Sequence, residues 1–398
     1  MTESLFTGLK VIDCASWIAG PCAATILSDF GAEVIKIEPP GTGDAWRSTQ
    51  AIPGLPADYY WQLTSRNKRS LALDLKHREG QAVLHRLVTQ ADVFVTNFPL
   101  PVRDRLRMAP VDLMPLNPRL IYASFTAYGE AGEEAAKTGF DSTAYWARTG
   151  LMDMVRADGT VPPQRSMPGM GDHPSGTALY AAIVTGLYRR EKTGQGGLVK
   201  SSLLQNGLWA NSCAVQVRLF GHHVPLRPRR QDAPNALANH YQTKDGRWFI
   251  MALFNEQRQL ASLLTAIGRP DLTDDPRFAT TASRKAHAKE LVPILDEVFA
   301  TKDLAEWRTI LDGVGVTFGI VATVDEASED AQMRDCGALV PFADGKEMTI
   351  SSPFDLDGVS KLPPQRAPAL GQHSGELLAE AGYSQADIDH LRGLGVVA

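Results

Sequence analysis

The stretch Leu9-Lys-Val-Ile-Asp13, running on through Ala15-Ser-Trp-Ile-Ala-Gly-Pro21 to Glu33-Val-Ile-Lys-Ile-Glu38, decides how the chain is read. Its two short apolar runs have the length and β-branched content of buried strands. Between them Pro21 suits a first helical turn, where its missing N–H would go unbonded anyway, and Gly31 suits the stop. A βαβ unit with its helix over 21–29 follows. Further strands are expected at Ser70-Leu-Ala-Leu-Asp74, Ala91-Asp-Val-Phe-Val95 and Leu120-Ile-Tyr-Ala-Ser124. Amphipathic stretches separate them, such as Gly80 to Thr89, where Val83, Leu84, Leu87 and Val88 share a face. Alternation of this kind predicts an α/β fold: a Rossmann-like large domain with a parallel sheet covered by helices.

Such a start invites a dinucleotide-binding reading, with Glu38 as the ribose-binding acid. The first turn lacks G-x-G-x-x-G, and a pyrophosphate would meet Trp17 and Ile18 where bare backbone is needed. A nicotinamide cofactor is therefore not expected. After about Gly221 the texture changes to a Pro- and Arg-rich linker. Tyr241-Gln-Thr-Lys-Asp-Gly-Arg-Trp-Phe-Ile-Met251 then carries an Asp245-Gly246 hairpin signal between two short strands. A smaller α+β domain begins there, with helices expected over 255–267 and 287–299. The chain is expected to return through Gly319-Ile-Val-Ala322 to a terminal helix capped by Ser384 and Asp387. The division reads 1–221 as the first part of the large domain, 222–330 as linker and small domain, and 331–398 as the return.

At 398 residues, 44% hydrophobic and 21% charged, the composition is that of a globular enzyme with room for two domains. A formal net charge of −5 argues against a nucleic-acid or membrane-surface binder and directs attention to small molecules. Cys14, Cys22, Cys213 and Cys336 are scattered and form no C-x-x-C pair, so neither a zinc site nor a disulfide framework is expected, and a reduced cytoplasm fits. No apolar run approaches the ~18 residues of a membrane span. With no leader pattern either, a soluble, unprocessed protein is expected.

The chemistry is concentrated at Met170-Gly-Asp-His-Pro-Ser-Gly-Thr177. Asp172 follows Gly171, which leaves the backbone open to close approach, and precedes a helix expected to begin near Pro174. A carboxylate beside a helix N-terminus in such a position is built to act as a nucleophile. A plain N-cap accounts for the local sequence equally well.

Several motifs in fixed order resolve that choice. Gly8-Leu-Lys-Val-Ile-Asp13, Ala19-Gly-Pro21, Gly31 to Glu38, Asn67-Lys-Arg-Ser-Leu-Ala-Leu-Asp-Leu-Lys76, Val95-Thr-Asn-Phe98, Leu116-Asn-Pro-Arg119, Gly171-Asp172, Arg189 to Gly196 and Ala367 to Ser374 together resemble the class III CoA-transferases. That superfamily includes formyl-CoA transferase, the carnitine CoA-transferases and α-methylacyl-CoA racemase. The resemblance spans nearly the whole chain and is weakest over 222–305. It implies a homodimer of two interlocked rings, with Asp172 as the acyl-carrying nucleophile. Coenzyme A and acyl-CoA enter as substrates, with no permanently bound cofactor and no metal. Carried over by position, the CoA site comprises Trp17, Ala19, Leu73, Lys76, Asn97, Arg105 and Lys137. For Lys68 and Arg69 a solvated basic face is as good a reading. The oxyanion or acid pocket falls to Ile18, Gly20, Phe140, Asp141, Tyr145 and Gly171.

Two departures bear on specificity. Ile18 stands where formyl-CoA transferase has glutamine, and the glycine-run loop of that enzyme has no counterpart between 235 and 260. A longer acid than oxalate is therefore expected, in a pocket bordered by Tyr145, Trp146 and Met152. Arg47 and Arg165 are the guanidinium candidates for a second carboxylate, so a donor such as succinyl-CoA is favoured. The racemase alternative needs a histidine in Thr138-Gly-Phe-Asp141, where Phe140 cannot move a proton. His173 reads as a packing histidine, and a non-catalytic CoA-binding protein is the remaining alternative.

Overall fold

A computed structural model describes residues 4–49, 53–55 and 58–398, and the chain divides into two compact units. The first comprises the chain up to Met152, Arg165–His222 and Ala331–Ala398. Its centre is a six-stranded sheet in the order β3-β2-β1-β4-β5-β6. The strands are β1 (Lys10–Asp13), β2 (Glu33–Glu38), β3 (Lys68–Ala72), β4 (Val93–Thr96), β5 (Ile121–Thr126) and β6 (Gly197–Ser202). Every pairing is parallel. This is the expected α/β sheet, with the order reversing between β1 and β4. Sequence reading does not anticipate β6, because Gly197-Leu-Val-Lys-Ser-Ser has few apolar residues and is only partly buried.

Helix α1 (Ala19–Asp29) starts two residues before Pro21 and is buried along almost its whole length. Helix α2 (Arg78–Val88) buries Val83, Leu84, Leu87 and Val88, the face its spacing predicts. These side chains join Phe94, Tyr122 and Leu71 in the main core. The long helix α3 (Asp172–Thr193) begins at Asp172 rather than near Pro174 and ends at Gly194, whose φ of 72° supplies the left-handed stop. Gly186 lets α3 lie on the sheet, since a Cβ there would meet Val199 at 3.0 Å. At Gly176 a Cβ would sit 2.8 Å from the Ala19 carbonyl oxygen and 2.8 Å from Cys22 Cβ. The start of α3 thus rests directly on the start of α1. The terminal helix Gln385–Gly393 carries the expected capping box, with Ser384 Oγ accepting from Asp387 N at 3.2 Å. Its Ile388 and Leu391 return to the main core.

The second unit comprises Asp153–Gln164 and His223–Asp330. Residues 153–164 thus leave the large domain, against the sequence division, which assigns everything to 221 to it. The expected hairpin forms from β7 (His240–Gln242) and β8 (Trp248–Met251). A third strand, β9 (Phe318–Ile320), pairs antiparallel with β8, so the segment read as the return to the large domain belongs to the small sheet. The return begins at Ala331. Helices Glu256–Ala266 and Ala288–Phe299 match expectation to within a residue or two, and Tyr241, Phe249, Phe299 and Trp307 fill this unit's own core.

The Gly176 contact makes a direct prediction. Gly176→Ala forces a methyl group between two helix starts, an overpacking expected to cost about 1–3 kcal/mol. Urea denaturation should register it as a lower midpoint at an unchanged slope, whereas Gly313→Ala, with nothing within 4 Å, should leave the midpoint at or above wild type.

Candidate active site

In open parallel sheets, ligands gather outside the carboxyl ends of the strands where the strand order reverses. Here that point lies between β1 and β4, and the segments leaving them bound a cavity of about 850 Å³ in the first unit. Ser16 to Ala19 follow β1, Asn97 to Pro99 follow β4, and Phe125 to Ala127 close β5. Lys137 to Ser142 and Arg165 to Gly169 complete the wall, and Asp172 opens on the cavity.

Asp172 is the first residue of α3 and Gly171 is its cap position, so its side chain makes no capping bond. The cap reading of Asp172 is thereby replaced. Gly171 has no room for a side chain: a Cβ would lie 2.7 Å from Tyr145 Cγ and 2.9 Å from Asp141 Cβ. Those neighbours sit on a π-helical turn, Asp141–Ala147, and Asp141 Oδ2 accepts from Gly171 N at 3.3 Å. Among the described residues, none gives the Asp172 carboxylate a hydrogen bond or ion pair. Burial first, and then the charge of Asp141, push its pKa up to about 7. The N-terminal field of α3 acts in the opposite sense.

The start of α1 lines the same cavity through Ile18 and Ala19. Among the described residues, the Ile18, Ala19 and Gly20 N–H groups have no hydrogen-bond acceptor, as the first amides of a helix often do not. The preceding residue, Trp17, has φ 66°, a left-handed conformation that bulky residues rarely adopt. Its ring is held edge-on to Phe140 at 5.8 Å and tilted against Trp46 at 5.7 Å.

Of the CoA candidates, Trp17, Ala19, Asn97 and Lys137 line this cavity. Asn97 commits its amide to the turn, accepting from Ser16 N at 2.8 Å and donating to Ser16 O at 2.7 Å. Lys137 pairs with Glu134 at 2.9 Å. Leu73, Lys76 and Arg105 do not line the cavity. Leu73 follows β3, bridges to Val397 and is 1% exposed in the main core, whereas Lys76 and Arg105 are exposed elsewhere. Lys68 is not a solvated base: its ammonium is buried and donates to Asp13, Pro21 O and Thr64 O. Arg69 pairs with Glu33 and Glu380.

Within the acid-pocket set, Ile18, Phe140 and Asp141 line the cavity, while Gly20, Gly171 and Tyr145 stand behind its wall. Trp146 and Met152 do not reach it. Arg47 is likewise removed from consideration, because its guanidinium forks onto Glu38 at 2.6 and 2.7 Å and stacks on Trp61 at 4.0 Å. The same contact occupies the carboxylate that a dinucleotide would need. Arg165 is exposed, lines the cavity and has no partner among the described residues. His173 is half-buried with its pKa lowered by burial, and it packs over Gly169. Sequence reading missed Asp44, Lys36 and Arg103. Arg103 is buried and donates to Phe98 O and Phe125 O at 2.6 Å each, fixing two cavity walls. Its only signal, a second arginine two residues before Arg105, is weak.

A profile of CoA-transferase family III matches residues 6–374. The chain belongs to that family. It is 32% identical to (R)-2-hydroxy-4-methylpentanoate CoA-transferase of Clostridioides difficile over 402 residues, covering 99% of each chain. It is 30% identical to human succinyl-CoA:glutarate CoA-transferase, covering 98% of this chain and 89% of the human one. Among solved structures, a CAIB/BAIF family protein from Brucella suis superposes with a TM-score of 0.85 at 28% identity, over 96% of this chain and all of that one. As a family III CoA-transferase, the chain belongs with enzymes that use acyl-CoA substrates. Among the described residues no helix is long and apolar enough to cross a membrane.

The raised pKa of Asp172 has a thermodynamic consequence. An acid whose folded-state pKa lies above its unfolded value contributes stability at low pH that is lost as pH rises toward the folded value. Asp172→Asn removes this loss. Its melting temperature should pull ahead of wild type between about pH 4 and pH 7, and calorimetry finding parallel curves across that range would contradict the raised pKa.

Proposed function

We propose that this protein moves CoA from an acyl-CoA donor to a carboxylic acid by covalent catalysis on Asp172. One observation carries the reading: an unpartnered carboxylate opens on a cavity at the reversal point of the sheet, and the first residues of a second helix line the same cavity. Ionised Asp172 attacks the donor thioester carbonyl, the C–S bond breaks, and CoA leaves as the thiolate, giving a mixed anhydride. The thiolate then attacks the aspartyl carbonyl, releasing the donor acid and leaving CoA as a thioester on Asp172. An acceptor carboxylate repeats the two steps in reverse and restores the aspartate. Each tetrahedral intermediate carries an oxyanion, for which the N–H groups of the cavity-lining Ile18 and Ala19 are the donors, in place of a glutamine amide. Trp17, Ala19, Asn97 and Lys137 border the CoA path, and the exposed Lys76 and Arg105 belong to it by family resemblance beyond this cavity.

A reduced cytoplasm is the compartment that the four scattered cysteines fit, and an interlocked homodimer is what the family resemblance implies. Trp209, Leu219 and Phe220 in the first unit, each more than 70% exposed, are the kind of apolar surface a partner subunit would cover.

Incubation with acyl-CoA and no acceptor should leave a hydroxylamine-sensitive CoA adduct on the peptide containing Asp172, and Asp172→Ala should abolish both adduct and transfer. Exchange of the donor's α-proton with deuterated water, with no acceptor needed, would favour the racemase instead. Tight CoA binding without adduct or exchange would favour a binding protein.

For the donor, Arg165 is the cavity-lining cation without a partner among the described residues, and it supports a second carboxylate on the acyl group. Succinyl-CoA and similar C4 to C5 dicarboxyl-CoA donors are the class it fits. Arg165→Ala should raise KM for succinyl-CoA by about tenfold or more, the scale of losing a charge-assisted hydrogen bond, and leave butyryl-CoA nearly unchanged. Equal effects on both donors would assign Arg165 to the phosphates of CoA.

A further inference from the structure

The turn between β1 and α1 is held from behind by charges that the transfer reaction does not use. Asp44 Oδ1 accepts from Ser16 Oγ at 2.9 Å, from Trp17 N at 3.2 Å and from Trp46 N at 3.0 Å. Its other oxygen forms an ion pair with Lys36 Nζ at 2.9 Å. Lys36 also donates to Ala15 O, and its ammonium lies 3.8 Å from Asp13. Asp44 and Lys36 are both buried, Lys36 completely. Burial alone would raise the pKa of Asp44, but Lys36 and the backbone donors outweigh it and hold the value low. Asn97 grips Ser16 from the opposite side through both amide atoms.

A pair of charges placed there must stabilise something that would otherwise relax. The strained element is Trp17, a tryptophan at φ 66°. Were Trp17 to return to an ordinary backbone conformation, its indole would leave Phe140 and Trp46, and the backbone of Ile18 and Ala19, which lines the cavity, would turn with it.

We propose that Asp44, backed by Lys36, is a positioning residue that clamps Trp17 in its left-handed conformation and so aims the α1 amides at the reacting carbonyl. Asp44 touches no substrate and acts only through the turn. The proposal rests on Asp172 as the nucleophile, and its test separates the two.

The decisive experiment is a double-mutant cycle on the rate of adduct formation at Asp172. Asp44→Ala should slow it about 100-fold, the scale on which small misplacements of catalytic groups act. Trp17→Gly loses the indole but takes the left-handed conformation without strain. With glycine at 17 the clamp has nothing to restrain, so adding Asp44→Ala to Trp17→Gly should cost less than about threefold more. Effects that multiply in the double variant would overturn the clamp and leave Asp44 as ordinary structural support. If Asp44→Ala does not fold, Ser16→Ala removes one of the three contacts and should show a smaller loss with the same non-additivity, additive losses again counting against the clamp. A turnover-free readout covers the case in which wild type forms no adduct. The emission difference between each background and its Trp17→Phe counterpart reports the Trp17 indole with its contact to Trp46, and Asp44→Ala should shift that difference to longer wavelength. An unshifted difference overturns the clamp whatever the fate of Asp172.

Discussion

Two helix N-termini meet at the contact between Gly176 and the Ala19 carbonyl, and the site depends on that meeting. Helix starts carry partial positive charge and unpaired amides, so bringing two together is unfavourable unless something negative lies between them. Asp172 supplies one negative group as the first residue of α3, and an oxyanion facing the α1 amides would supply another. The same closeness buries Asp172 beside Asp141. Its pKa therefore settles near 7, where a carboxylate is more basic than usual yet still ionised in substantial fraction. A nucleophile gains from that compromise, and the fold bears its cost in stability.

The second theme is buried charge used as scaffold. Asp13, Lys36, Asp44 and Lys68 lie within the first unit with almost no solvent exposure. Buried ion pairs rarely add net stability over apolar packing of the same shape, because desolvation offsets their attraction. What they provide here is direction: Lys68 joins Asp13 to the carbonyls of Pro21 and Thr64, while Lys36 and Asp44 hold the turn carrying Trp17. Apolar replacements could fill the same volume without fixing that backbone.

Strand and helix spacing was legible for most of the large sheet, since β1, β2 and β4 and helices α1 and α2 announce themselves by apolar runs and by Pro and Gly punctuation. β6 was not, because a strand at a sheet edge needs less apolar content than the period rule looks for. The excursion of residues 153–164 into the second unit, and the assignment of β9 to the small sheet, follow from contacts between segments far apart in the chain. No local pattern encodes them.

The sequence by itself determined the alternation of elements and, through many short motifs in order, the family. It also singled out Asp172, since a Gly-Asp pair before a helix is a local feature. Only the tertiary structure decided which charges are free. Arg47, Lys68 and Arg69 look as available in the sequence as Arg165, yet three are consumed by carboxylates or carbonyls that folding brings to them from other strands and helices. Whether a side chain is a ligand or a strut depends on its partners' distance in space, and sequence spacing carries that distance only within a helical turn or a strand pair.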